Sequence, residues 1–115
     1  MRDYKKYDVW KLGHELTLAI YKITDKFPES EKFRIVDQIR RAAYSIPSNI
    51  VEGCGRESDV EFKRYLVVSR GSANELEYFL ILSRDLSFID QTEFDVLFDQ
   101  VNKVNRSITN LIKKL

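Results

Sequence analysis

The sequence predicts an all-α fold, an antiparallel up-down-up-down bundle of four helices. Apolar residues recur three and four positions apart in four separate segments, and no segment alternates apolar and polar residues as a strand does. Four amphipathic helices joined by short loops bury their apolar faces most economically against one another. The length of 115 residues fits a single domain over 1–115.

The first helix is predicted to begin near Asp8 and to end before Pro28. A residue that precedes proline is disfavoured in helical conformation, so the Phe27-Pro28 pair closes this helix. Its apolar stripe consists of Val9, Leu12, Leu16, Ala19 and Ile23.

The second helix contains a proline, Pro47, and its apolar stripe continues past that proline to Gly53. The stripe consists of Val36, Ile39, Ala43, Ile46 and Ile50. An interior proline removes one hydrogen bond and clashes with the carbonyl four residues back, at a cost of roughly 3 kcal/mol. Because the stripe continues, we expect one continuous helix, bent at Pro47. Pro47 is expected just outside the core stripe, and the connection to the third helix is expected to be Gly53–Gly55.

The carbonyl groups freed by Pro47, near Ala43 and Tyr44, need new hydrogen-bond donors. Small polar residues lie within a turn of them, and the predicted donors are Ser45, Ser48 and Asn49.

The third and fourth helices each begin with a capping-box pattern, Ser58 with Glu61 and Asp90 with Glu93. The core stripe of the third consists of Phe62, Leu66, Ser69, Ala73, Leu76 and Leu80, widened by Tyr65, Val68, Phe79, Leu82 and Leu86. The fourth carries Phe94, Leu97, Val101, Val104, Ile108, Leu111 and Leu115 at heptad spacing.

The chemistry of an enzyme is not indicated. The single histidine, His14, lacks the Glu three residues before it that a bundle di-iron site requires, so a surface role is favoured over a metal-ligand role. Cys54 lies between two glycines near Arg56, where a lowered thiol pKa is conceivable, but an incidental loop residue is the better interpretation. We therefore expect no catalytic residue, no metal and no cofactor.

The cellular setting is also indicated. The N-terminus has no apolar core of the length that a secretory signal needs, and no apolar run is long enough to span a membrane. One cysteine forms no internal disulfide, which fits a reducing cytoplasm. The expected location is cytoplasmic, with no membrane partner.

Two long strings of residues resemble a known family. "FPESEKFRIVDQIRRAAYSIPSNIVEGCGR" (27–56) and "FKRYLVVSRGSANELEYFL" (62–80), preceded by "YDVW" (7–10), are similar to the four-helix bundle proteins first found encoded in intervening sequences of bacterial 23S ribosomal RNA genes. The resemblance covers nearly the whole chain. Its structural signature positions are Pro47, Asn49, Glu52, Gly53, Gly71, Ser72 and Glu75.

The resemblance implies a four-helix bundle that assembles as a homopentamer. A related branch, the accessory variability determinant of diversity-generating retroelements, binds nucleic acid and a reverse transcriptase. Most stand-alone members have no established activity. The partners that the resemblance implies are other copies of the chain and, for the nucleic-acid hypothesis, RNA or DNA.

Charge is segregated along a chain whose formal net charge is only +1. Residues 71–101 hold one basic and seven acidic residues, whereas 102–115 hold four basic residues and no acid. Acidic loops are expected at one end of the bundle and a basic surface at the other. The candidate nucleic-acid-binding residues are Arg40, Arg41, Arg56, Lys63, Arg64, Arg70, Lys103, Arg106, Lys113 and Lys114.

Each of these assignments has a purely structural alternative. Acids in the first turn of the fourth helix and lysines in its last turn also complement the helix dipole. Arg40, Arg41 and Arg70 lie mid-helix, where ion pairs across helices or subunits would explain them equally well; the expected partners are Glu52, Glu75 and Glu77.

Two functions are therefore carried forward. The first is a non-enzymatic, homo-oligomeric protein that binds RNA or DNA through a basic surface. The second is a protein-interaction adaptor or scaffold without affinity for nucleic acid.

Overall fold

The computed structural model describes residues 2–115, which form four long helices. They are α1 (Asp8–Thr24), α2 (Ile35–Cys54), α3 (Asp59–Asp85) and α4 (Gln91–Lys114), and two short 3-10 turns occupy Tyr4–Lys6 and Glu29–Glu31. No strand occurs within the described range. The predicted all-α four-helix bundle is confirmed.

Contacts between successive helices pair early residues of one helix with late residues of the next. Near the start of α1, Gly13 lies against Ile46, whereas Thr24, at the end of α1, accepts a 2.8 Å hydrogen bond from Arg40. The same order holds from α2 to α4, in the pairs Ile46–Ser69, Gly53–Phe62, Arg70–Thr109 and Arg84–Phe94. The loops that follow α1 and α3 meet at one end, where the rings of Phe27 and Phe88 are 5.3 Å apart.

Most of the core consists of the predicted apolar stripes. The α1 stripe is the exception: Val9 and Leu16 are buried, Leu12, Ala19 and Ile23 are half-buried, and Ile20, outside the predicted stripe, is fully buried. Every stripe residue of α2 and α3 is buried, and so are those of α4 up to Ile108. Towards the chain end, Leu111 is half-buried and Leu115 is exposed. The predicted widening of the α3 stripe is wrong at Val68 and Leu86, whose side chains are exposed.

Capping groups fix the start of both later helices. At α4, Asp90 accepts from the Glu93 amide and the Glu93 carboxylate accepts from the Asp90 amide, so the predicted capping box is complete. At α3, Ser58 accepts from the Glu61 amide at 3.1 Å. The Glu61 carboxylate lies instead 4.0 Å from Arg56 Nε, so only half of that capping box is present.

Pro47 lies inside one uninterrupted helix, as predicted. The expectation that it lies outside the core stripe is wrong, because Pro47 is buried and packs over Gly13 of α1. A Cβ atom at position 13 would lie 3.5 Å from the Pro47 ring and 3.2 Å from Ile46. Gly13 therefore lets α1 approach α2 closely at Pro47. The bend of α2 at Pro47 stays a prediction.

The carbonyl that Pro47 leaves without its helical donor belongs to Ala43. The nearest donor comes from α1: Thr17 Oγ1 lies 3.2 Å from the Ala43 oxygen and 2.8 Å from the Gly13 oxygen of its own helix, so its single proton is shared between the two carbonyls. The predicted donors Ser45 and Ser48 do not take this role, and Asn49 Nδ2 donates to the Ser45 oxygen at 2.7 Å. The proline is therefore accommodated between two helices.

Candidate functional site

Cys54 and His14 lie in places that fit structural roles. The helix α2 extends through Cys54, so the connection begins only at Gly55, which corrects the predicted boundary. Burial raises the pKa of the Cys54 thiol, and the nearby Arg2 guanidinium offsets this only partly. A buried thiol with a raised pKa has little thiolate at neutral pH. His14 is exposed and stacks on Trp10 with ring centroids 5.2 Å apart.

Residues 2–115 contain neither a metal-binding cluster nor a membrane-spanning helix. No group of three or more His, Cys, Asp or Glu side chains is arranged to hold a metal ion. No helix in that range is both long and apolar enough to span a membrane.

Arg40 is held in a network at the acidic end of the bundle. Its Nε atom donates to Thr24 Oγ1 at 2.8 Å and its NH2 group lies 2.9 Å from an Asp25 carboxylate oxygen. The guanidinium also stacks over the Tyr21 ring, 4.5 Å from its centroid. Arg40 therefore joins α1 to α2, and its ion-pair partner is Asp25 rather than the glutamates predicted.

Arg41 and Arg56 are also engaged by neighbouring side chains. Arg41 pairs with Asp37 one turn earlier on α2, at 3.5 Å. Arg56 donates to the Tyr65 hydroxyl at 2.6 Å and lies 3.4 Å from a Glu52 carboxylate oxygen. The signature residue Glu52 thus secures the α2–α3 connection.

The other candidate cations gather mainly around the C-terminal half of α4. We define the basic ridge as five of these cations together with one lysine that precedes α1. Its members are Lys6, Arg70, Lys103, Arg106, Lys113 and Lys114. Within residues 2–115, Lys103 is the one member paired with a carboxylate, at 3.2 Å from Asp99. Lys63 and Arg64 are exposed early in α3 and line neither groove of the ridge.

An open groove flanks the ridge on each side. The α1-side groove, of about 640 Å³, is lined by Lys6, Lys103, Arg106 and Lys114, by Ser107, Asn110 and the single acid Asp8, and by the apolar or aromatic residues Tyr7, Val9, Leu12 and Leu111. The α3-side groove, of about 450 Å³, is lined by Arg70, Asn74, Asn105, Arg106, Thr109, Asn110 and Lys113, with no carboxylate among these described residues.

Sequence reasoning missed several residues of this surface. Lys6 is not among the predicted site residues, because its approach to α4 depends on the tertiary fold. The carboxamides of Asn74, Asn105 and Asn110 carry no charge signal. The sequence feature that indicates this surface is spacing. Arg106, Asn110 and Lys114 recur every fourth residue and therefore share one face of the helix.

The signature glycines have contrasting surroundings. A Cβ atom at Gly53 would lie 2.8 Å from Tyr65 Cβ and 3.0 Å from Phe62, so Gly53 lets α2 and α3 meet closely. At Gly71, in the middle of α3, a Cβ atom would have no neighbour within 4 Å. Packing within the described chain accounts for Gly53 and not for Gly71.

A third groove, between α1 and α4 at the opposite end from the ridge, is mostly apolar. Its floor includes Ala19, Ile23 and Leu97, and Val96 at its edge is 59% exposed. Charged residues on its rim are Lys22, Lys26 and Glu93.

The chain is similar to a known protein family and to solved structures. Residues 5–110 match the family model described as 23S rRNA-intervening sequence protein. The crystal structure of a protein with unknown function from the S23 ribosomal protein family of Bacteroides thetaiotaomicron is similar, with a TM-score of 0.82 and 27% identity. The match covers 91% of this chain and 98% of that one. No curated protein matched.

Proposed function

Since the chain belongs to the 23S rRNA-intervening sequence protein family, we propose that it is a non-enzymatic, self-associating bundle that binds nucleic acid through the basic ridge. The observation that carries the proposal is the basic ridge, six cations of which four lie on the C-terminal half of α4 and two, Lys6 and Arg70, lie beside it. Five of the six have no carboxylate within 4.0 Å in the described chain, so they are available to phosphates. We place this activity in the cytoplasm, where reducing conditions keep Cys54 a thiol.

The helix dipole explains only part of this charge. Lys113 and Lys114 lie in the last turn of α4, where cations are favoured in any helix. Lys6, Arg70 and Lys103 lie outside that turn and still border the same surface. The positions of these three cations support a role for the basic ridge beyond stabilisation of α4.

Charge-neutralising variants test the proposal. The double variant Arg106→Gln/Lys113→Gln is expected to weaken binding of a labelled RNA or DNA about tenfold or more in about 0.1 M salt, since each lost phosphate contact reduces counterion release. Lys32→Gln removes an exposed charge near the acidic end and serves as the control. Equal affinity of both variants and the unaltered protein would refute the proposal.

We further propose that copies assemble as a homopentamer through the outer faces of α2 and α3. Exposed apolar side chains lie there, including Tyr44, Val51, Val67 and Val68. Gly71 supports a contact between copies at the same face. Glycine within an exposed helix costs about 1 kcal/mol relative to alanine, and no residue of the described chain lies close enough to require a glycine there.

The assembly is tested by light scattering. The unaltered chain is expected at five times the monomer mass, and Val67→Asp at a lower mass because a charge would be buried between copies. Val96→Asp changes an exposed valine on α4, is the control and should leave the mass unchanged. A monomeric unaltered chain would contradict the proposal.

An adaptor function is favoured by one observation, the apolar groove between α1 and α4. An amphipathic helix of a partner protein could place its apolar face there, with Lys22 and Glu93 at the rim. On this alternative, Val96→Asp abolishes capture of the partner, whereas Arg106→Gln/Lys113→Gln leaves capture intact. The opposite pattern with a nucleic-acid probe would favour the basic ridge.

A further inference from the structure

The basic ridge is arranged in rows along and beside α4. Arg106 and Asn110 line both grooves and are exposed, so they form its crest. One row of cations, on the α1 side, consists of Lys6, Lys103 and Lys114. The other, on the α3 side, consists of Arg70 and Lys113.

Carboxamide and hydroxyl groups lie between and beside these rows. On the α3 side, Asn105 Nδ2 donates to Asn74 Oδ1 at 3.0 Å, and Arg70 lies 3.5 Å from the Thr109 hydroxyl. Asn105 Oδ1 is buried without a hydrogen-bond partner in the described chain. Amides and hydroxyls can exchange hydrogen bonds with other hydroxyl groups, whereas the flanking cations suit phosphates.

The bundle limits how far α4 can enter a ligand. Both α1 and α3 flank α4, and packed helices have axes only about 8–10 Å apart. The major groove of B-form DNA is about 8.5 Å deep and its minor groove about 6 Å wide. A helix with a neighbour on each side does not reach the floor of the DNA major groove. A helix, about 10 Å across, does not fit into the DNA minor groove.

Single-stranded nucleic acid calls for a different surface. Proteins that bind it place flat aromatic rings along a basic groove, so that successive bases stack on them. The side chains of the ridge and its grooves are mainly cations, amides and hydroxyls. Tyr7, an aromatic residue in the α1-side groove, packs edge-on against Phe62 with centroids 5.8 Å apart.

We propose that the ligand of the basic ridge is double-helical RNA, contacted across its minor groove. The minor groove of A-form RNA is wide and shallow, displays the 2′-hydroxyl groups of the riboses and the base edges, and is bordered by the phosphates of both strands. The Asn110 carboxamide on the crest meets the 2′-hydroxyls, and the two rows of cations meet the two strands. This inference rests on the proposed nucleic-acid binding and specifies its ligand.

The test compares three labelled probes of one sequence by fluorescence anisotropy, namely an RNA duplex, a DNA duplex and an RNA single strand. We expect the RNA duplex to bind at least about tenfold more tightly than the other two. Asn110→Ala is expected to weaken RNA-duplex binding about fivefold, the effect of one lost hydrogen bond, and to leave DNA-duplex binding unchanged. Gln38→Ala removes an exposed carboxamide on α2 and is the matched control.

The rows are tested separately with Lys103→Gln/Lys114→Gln and Arg70→Gln/Lys113→Gln, whose folding is checked by circular dichroism. Each double variant should weaken RNA-duplex binding. Each should also reduce, by about 2, the slope of the logarithm of the association constant against the logarithm of salt concentration. Equal or tighter binding of the single strand or the DNA duplex would overturn the inference while leaving nucleic-acid binding intact. Failure of all three probes to bind would overturn both.

Discussion

At the scale of single residues, Thr17 and Pro47 form one structural unit. Pro47 has no amide hydrogen to give the Ala43 carbonyl. The Thr17 hydroxyl of the neighbouring helix lies 3.2 Å from that oxygen and shares its proton between it and the Gly13 oxygen, 2.8 Å away. Thr17 is itself buried. A threonine on α1 therefore compensates for a proline on α2, and the two positions should be energetically coupled.

Replacing Thr17 by valine, which keeps the shape and removes the hydroxyl, tests this coupling. In the unaltered background we expect Thr17→Val to lower the free energy of unfolding by about 1–2 kcal/mol, because the buried Ala43 carbonyl loses its donor. In a Pro47→Ala background, the alanine amide can donate instead and the loss should be smaller. Urea denaturation of the four proteins measures the coupling, and equal losses in both backgrounds would contradict it.

The two signature glycines should respond in opposite directions to alanine. Gly53→Ala places a Cβ atom 2.8 Å from Tyr65 Cβ, so we expect a loss of about 2 kcal/mol or more in the free energy of unfolding. Within one copy of the chain Gly71→Ala has open space and a better helix former, so in the Val67→Asp background, which is expected not to assemble, we expect a gain of about 1 kcal/mol. Thermal melts at one protein concentration compare them, and changes of the same sign would be inconsistent with the packing described.

At the scale of elements, the end of α3 is stabilised by a turn that usually contains glycine. The Phe88 amide donates to the Ser83 oxygen at 2.8 Å and the Ser87 amide to the Arg84 oxygen at 2.9 Å, the two bonds of a Schellman motif. Ser87 has a φ of 65°, in the left-handed region that glycine adopts without strain. The turn therefore stores backbone strain at one serine.

Ser87→Gly should relieve that strain. We expect the variant to raise the free energy of unfolding by up to about 1 kcal/mol, less the entropy that glycine adds to the unfolded chain. Ser58→Gly, at the N-cap of α3, is a useful comparison because it loses a side-chain acceptor and should destabilise slightly. A large loss of stability in Ser87→Gly by chemical denaturation would argue against the turn geometry.

The helices were largely predictable because their signals are local. The stripes, the Ser58 and Asp90 caps and the uninterrupted helix through Pro47 all follow from residues within a few positions of one another. The burial of Pro47 and the Thr17 donor depend instead on which face of α1 meets α2. Periodicity alone does not specify that contact.

At the scale of the whole molecule, the candidate site was predictable only in part. The basic C-terminal segment is visible in the sequence, and Arg106, Lys113 and Lys114 line grooves of the ridge. Arg40 and Arg56 were chosen for their charge, but their neighbours Asp25 and Tyr65 engage them in the fold. Charge along a chain identifies cations, and only the tertiary arrangement separates those in internal networks from those available to a ligand.

Contact between the basic ridge and the phosphate backbone of nucleic acid should give binding a steep dependence on salt concentration. With about five cations contacting phosphates, the logarithm of the association constant should fall with the logarithm of salt concentration at a slope of about −4 to −5. Titration of an RNA duplex from about 50 to 200 mM salt measures it. Absence of binding at the lowest salt, or an affinity that does not change with salt, would contradict the claim.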